Sequence, residues 1–195
     1  MKKNQRARAL ARAVSPADHI RGSPSAPVTL VGYGDFSNPD CAQTYRTVNK
    51  IRQKMGARLR YVFRSFPEPG KFANSEVAAE AAECAASQGH FWEMHDRMFD
   101  NHGTSDFQLS RHARELGLDL GRFRRELKDN VQRPKVQATR RSGVRSGVDA
   151  PPAFFINSVR HESSFGLATL LPAVQAAANG PVPLTLRSRE QRRKV

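Results

Sequence analysis

The chain alternates between short apolar runs and longer stretches in which apolar residues recur every three or four positions. The clearest run, Val28-Thr29-Leu30-Val31-Gly32-Tyr33, reads as a buried strand ended by Gly34 and Asp35. Asn38 follows as an N-cap, with Pro39 at the first helical position. From Pro39 to Met55, Ala42, Tyr45, Val48, Ile51 and Met55 form one apolar stripe, which predicts a helix closed by Gly56. Leu59 to Pro67 alternates and stops at proline, so it predicts a second strand. Strand, helix and strand in this order make a βαβ unit, with the two strands parallel and the crossover right-handed.

Helical spacing then dominates. Asn74 caps an alanine-rich helix over Ser75 to Gln88, and Gly89 breaks it. Further helices fit residues 90–101, 107–116, 120–129 and 134–146, punctuated by Gly117, Gly121, Pro134, Gly143 and Gly147. Strand character returns at Ala153 to Asn157. Val159 to Glu162 can pair with it across a turn at Asn157-Ser158. A closing helix over residues 168–178 ends at Asn179-Gly180. Residues 1–22 read as an arm with a frayed helix over Gln5 to Val14, and Pro181 onward as a second arm.

Charge adds to this picture through its placement. Of the net +14, residues 1–22 carry +5 and residues 184–195 carry +4, leaving +5 for the body between them. Such arms could meet nucleic acid or an anionic surface. No aromatic residues interleave with these charges, so a base-stacking signature is missing, and solvated tails are the preferred reading. The apolar stretch Ala9 to Val14 is too short for the core of a secretory leader, and no run could span a membrane. The expectation is a cytoplasmic protein with no membrane partner. With 195 residues the body suits one well-formed core.

Candidate chemistry is sparse. Cys41 falls in the first turn of the helix after Asn38, a setting where unpaired backbone N–H groups and the helix dipole favour a thiolate. Cys84 lies mid-helix among alanines and reads as a small buried residue. Two cysteines make no disulfide framework, and whether they pair stays open. His90, Glu93 and His95 do not share one helical face, so no metal site is expected. Arg140-Arg141 and Arg145 read as a solvated helix face.

Taken together, the strand, the turn Asn38-Pro39-Asp40-Cys41 and its helix resemble the active-site region of DsbA-like thioredoxin-fold thiol–disulfide oxidoreductases. In that family the turn reads Cys-Pro-x-Cys. Two further segments carry the likeness. One is Ala79 to Asp96, similar to the family's inserted helical domain. The other is Pro151-Pro152-Ala153-Phe154-Phe155-Ile156-Asn157, similar to the strand opened by a cis-proline, here Pro152. The resemblance covers about residues 18–180. It implies an α/β thioredoxin fold with an all-helical insertion. The expected boundaries are an arm at 1–22, a first thioredoxin part at 23–68, the insertion at 69–147, a second thioredoxin part at 148–180 and a tail at 181–195.

Set against the family, this chain departs at three positions. Asn38 stands where the nucleophilic cysteine belongs, so Cys41 is left in the resolving position without a partner in the motif. Gly32 stands where the family places an acid that assists proton transfer. Pro151 has no N–H to offer an extended peptide. The resemblance therefore implies an oxidoreductase relative with a degenerate site. It would lack dithiol exchange and keep a groove for a thiol or peptide near Pro39, Asp40, Pro151 and Pro152. The alternative is an enzyme working through Cys41 alone, with Asn38 hydrogen-bonding a thiolate and with glutathione-linked chemistry. No cofactor is otherwise expected, and the oligomeric state stays open.

Overall fold

The computed structural model describes residues 9–101 and 103–180. Its centre is a five-stranded sheet of β1 (His19–Arg21), β2 (Val28–Gly34), β3 (Leu59–Ser65), β4 (Ala153–Ile156) and β5 (Val159–His161). The strand order is β1-β3-β2-β4-β5. β2 and β3 are parallel, Val28 opposite Leu59 and Gly34 opposite Ser65, while the other neighbours are antiparallel. The expected βαβ unit is therefore present, with α1 (Pro39–Met55) as its crossover. Five helices follow before the chain returns to the sheet: α2 (Ser75–Ala86), α3 (Phe91–Asn101), α4 (Asp106–Glu115), α5 (Leu120–Lys128) and α6 (Arg133–Arg145). α7 (Leu167–Asn179) closes the described chain. The tight turn between β4 and β5 holds Asn157 and Ser158 at positive φ, 47° and 73°, as a two-residue hairpin of matching twist requires.

Every residue of β2 is buried, because the sheet is covered on both faces. On one face Val28 and Leu30 join the stripe of α1, the inserted helices and Leu170 and Val174 of α7. On the other, Val31 and Tyr33 pack with Val62, Phe66, Val148 and Phe155, against Leu10, Val14 and Ile20.

That second face differs from expectation. Residues 9–22 are not a solvated arm, and no helix forms over the described part of Gln5 to Val14. Ala9 bridges to Val159 on β5, and Leu10 donates its N–H to the Ser158 carbonyl at 3.0 Å. His19–Arg21 then pairs with β3 as an edge strand. What fastens the segment is Arg64 of β3, 1% exposed. Its Nε and Nη2 donate to the two carboxylate oxygens of Asp18 at 2.8 and 3.0 Å. Its Nη1 donates to the Arg12 carbonyl and to the Tyr33 hydroxyl, each at 3.0 Å. A buried guanidinium is tolerated when its donors are satisfied in this way. The first eight residues and residues 181–195, which hold most of the charge assigned to arms, lie outside the described residues.

Candidate active site

β2 runs into the site and α1 leaves it. Asn38 caps α1 as the sequence predicts: its Oδ1 accepts from the N–H groups of Asp40 and Cys41 at 2.8 and 3.4 Å. The remaining amide is used as well. Nδ2 donates at 3.3 Å to the carbonyl of Pro151, whose bond to Pro152 is cis. The side chain at the nucleophile's position thus ties the start of α1 to the cis-proline loop. Asn38 is 6% exposed and Pro151 is buried, so neither presents a reactive group to solvent.

Behind this tie lies Cys41, 3% exposed. Its sulfur accepts one hydrogen bond, from the Asp35 backbone N–H at 3.4 Å. Burial, with Asp35, Asp40 and Glu68 adding like charge, pushes the thiol up to about 12. The helix N-terminus expected to favour a thiolate is outweighed. Its free N–H groups at Asp40 and Cys41 already bond to Asn38, and the sulfur faces the protein interior.

The acid missing at Gly32 has no room there. A Cβ on Gly32 would meet the Phe154 ring at 2.9 Å and the Tyr61 hydroxyl at 3.2 Å. The carboxyl that does sit by Cys41 is Asp35, three residues further on and 1% exposed. Its oxygens accept from the Ser37 and Glu68 N–H groups, each at 2.9 Å, and from the Ser75 hydroxyl. Burial nevertheless raises its pKa above the ordinary carboxylate range. Sequence reasoning treated Asp35 only as a strand terminator; an acid placed between Gly34 and Phe36 in an apolar setting was the available signal.

Of the other predicted site residues, Asp40 and Pro152 line an open groove of about 260 Å³ with Gln43, Thr44, Thr47, Phe165 and Gly166. Pro39 is exposed at the first turn of α1, and Pro151 is turned inward. Gln43, Thr44 and Thr47 lie along α1, and Phe165 and Gly166 come from the loop before α7; none was identified from sequence. Cys84 is buried with its thiol also pushed up to about 12 by burial, and both cysteines are free. His95 gives its Nδ1 to Asp96 at 2.8 Å inside a box of aromatic rings that includes Phe36, Phe63 and Phe99. Among the described residues no cluster could hold a metal ion, and no helix is long and apolar enough to cross a membrane.

Comparison with known proteins gives this geometry its context. The thioredoxin-like oxidoreductase of Silicibacter pomeroyi superposes with a TM-score of 0.73 at 25% identity, covering 86% of this chain and 95% of its own. Wolbachia pipientis alpha-DsbA1 gives 0.73 at 22%, covering 85% and 92%. A thioredoxin-like protein of Salmonella enterica serovar Typhimurium gives 0.68 at 20%, covering 85% and 92%. That protein is described as periplasmic. Among curated sequences, a Na(+)/H(+) antiporter of Salinispora arenicola is 39% identical over 176 residues, or 90% of this chain. This chain spans about a quarter of the length of the curated antiporters it matches. The sequence also matches the family described as Thioredoxin over residues 14–176. The chain therefore belongs to the thioredoxin family, in the DsbA-like form that carries helices between the third and fourth strands of its sheet.

Proposed function

We propose that this DsbA-like oxidoreductase relative has given up dithiol exchange and retains its groove as a binding site for a thiol-bearing or extended peptide. One observation carries the reading: the Asn38 side chain spans from the α1 N-terminus to the Pro151 carbonyl, where the family's nucleophile would face its substrate. The buried state of Cys41 supports it further, since a thiol with a pKa near 12 is almost wholly protonated at neutral pH. A groove of about 260 Å³ remains open beside Pro152 and offers Thr47 and Gln43 as polar partners and Phe165 as apolar wall.

The test is a comparison of the protein with Asn38→Cys in the reduction of insulin disulfides by dithiothreitol. The unaltered protein leaves the background rate unchanged, and Asn38→Cys, which completes a Cys-Pro-Asp-Cys motif, accelerates it. Acceleration by the unaltered protein overturns the loss of dithiol exchange. The binding half is tested by titrating Cys41→Ala with a cysteine-containing peptide and with glutathione. Affinity equal to that of the unaltered protein supports the groove. Affinity lost with the thiol supports the alternative, single-cysteine chemistry at Cys41.

A second reading concerns the setting. The curated relatives are membrane antiporters, of which this chain matches about 26%. That share supports a role for the fold as a unit working beside a transporter, and it would fix the compartment as the side of the membrane on which that unit lies.

A further inference from the structure

The charge of the body is unevenly placed. Residues 122–145 hold nine basic residues against Glu126 and Asp129, a net +7, so the rest of residues 23–183 is net −2. Three of the nine are spoken for: Arg122 pairs with Glu126 at 2.7 Å, Arg133 with Glu80 at 2.9 Å and Lys135 with Glu83 at 2.6 Å. The other six, Arg124, Arg125, Lys128, Arg140, Arg141 and Arg145, are exposed and have no acidic partner among the described residues.

Helical geometry groups them. On α5, Arg124, Arg125 and Lys128 fall within an arc of about 100°, opposite the side on which Phe123 is buried. On α6, Arg141 and Arg145 are one turn apart, away from buried Val136 and Gly143. Both helices pack on α2. Arg140 is held ready: its Nε donates to the Pro67 carbonyl at 3.0 Å and its guanidinium lies 5.2 Å from the Phe66 ring centre. That leaves its terminal nitrogens to a groove of about 310 Å³ lined by Pro67, Pro69, Glu76, Gln137 and Arg141. Glu76 on its wall faces Arg133 at 4.0 Å. Two large apolar side chains stand out among these charges, Val131 and Val144, each 53% exposed.

We infer that the outer surface of α5 and α6 docks on an anionic phospholipid bilayer, with the groove at Arg140 and Arg141 receiving a phosphate headgroup. Unpaired cations on the outer faces of two helices that both pack on α2 supply attraction to a negatively charged leaflet, at roughly fivefold in partitioning per cation. Val131 and Val144 can enter the headgroup boundary, where exposed apolar area gains from burial. A nucleic-acid duplex would use the cations and leave both valines without a partner. The inference goes beyond the groove beside Pro152 and shares no residue with it.

The experiment is flotation of the full chain with vesicles of phosphatidylcholine alone and of equal parts phosphatidylcholine and phosphatidylglycerol. Binding is expected only to the anionic vesicles. Arg141→Gln with Arg145→Gln should weaken it by about 25-fold, from fivefold per cation. Neutralising Arg192 and Arg193, the basic pair near the C-terminus, serves as the control and should weaken it less. Arg141 and Arg145 are exposed and have no acidic partner among the described residues, so thermal unfolding should be unchanged in the Arg141/Arg145 variant. No binding to anionic vesicles overturns the inference. So does a loss confined to the Arg192/Arg193 variant, or displacement from vesicles by an equal charge of duplex DNA.

Discussion

Two hydrogen-bonded ties hold distant segments of this protein together, and they differ in kind. Asn38 joins the start of α1 to the cis-proline loop with a neutral amide whose two ends are both used. Arg64 joins the N-terminal segment to the sheet with a buried ion pair to Asp18 and three further acceptors. The first occupies the place where the fold elsewhere carries out chemistry; the second occupies a face usually given to apolar packing. An amide at the reactive turn adds little stability and removes the nucleophile. A guanidinium inside the core adds a large conditional term, because its worth depends on every partner remaining in place. What the contrast teaches is that the site has been made into structure by a neutral amide, while the second face adds to its apolar packing a buried carboxylate, Asp18, held by Arg64 and Arg12.

The contrast can be broken most forcefully at Arg64. Arg64→Met leaves Asp18 buried without its main partner and should cost about 3–5 kcal/mol, read from urea unfolding. Arg64→Met with Asp18→Leu should recover most of that loss, because the penalty comes from the orphaned charge. A double variant as unstable as the single would mean that the remaining hydrogen bonds, to Tyr33 and to the Arg12 and Ala13 carbonyls, carry the stability instead.

Acid separates the two ties next. Burial works to raise the Asp18 pKa, but the hydrogen bonds and charge of Arg64, with the Ser15 N–H and the Arg12 charge, outweigh it and hold the carboxyl below its ordinary value. In the unfolded chain Asp18 takes up its proton near an ordinary pKa of about 4, while the folded protein still holds it charged. The unfolded state then binds more protons, so this contribution is complete above about pH 4 and is lost as the pH falls below it. Asp18→Asn should flatten that part of the urea midpoint against pH. Asn38 titrates nowhere, and Asn38→Ala should lower the midpoint by a constant amount at every pH.

The smallest expected effect sharpens the amide tie itself. Asn38→Ala loses the cap and the bond to Pro151, and should cost about 1 kcal/mol. Asn38→Asp keeps an acceptor for the Asp40 and Cys41 N–H groups and loses only the donor to Pro151, so it should cost less. Equal losses in the two variants would mean that the bond across to the cis-proline loop carries the whole effect.

Much of the fold was legible because its long elements keep their periods. The stripe Ala42, Tyr45, Val48, Ile51 and Met55 is buried as its spacing predicts, and the bounds of α1 coincide with expectation. β1 was missed because three half-buried residues carry no pattern; pairing with β3 makes them a strand. Arg64 was hidden by the opposite logic. In an alternating strand an arginine reads as solvent-facing, and only the return of residues 9–18 over that face buries it. At the site, the cap at Asn38 follows from local rules; the burial of Cys41 does not, since the local rule of a helix N-terminus favours a thiolate and only the packing around the sulfur overrides it. The groove does not, since Thr47 and Phe165 meet only when α1 and the loop before α7 are brought together.

The bridge from Ala9 to Val159 has a consequence for solubility. β5 is the last strand of the sheet, and beyond it the ladder would present unpaired N–H and C=O groups to any extended chain, beside a valine that is 60% exposed. The N-terminal segment lies along that border and takes up the Ser158 carbonyl. It serves as a selvedge, the woven margin that stops a fabric from joining or fraying. Proteolysis within residues 9–14 is expected to bare that border, and size-exclusion chromatography of the cut protein should then show larger species than the uncut protein.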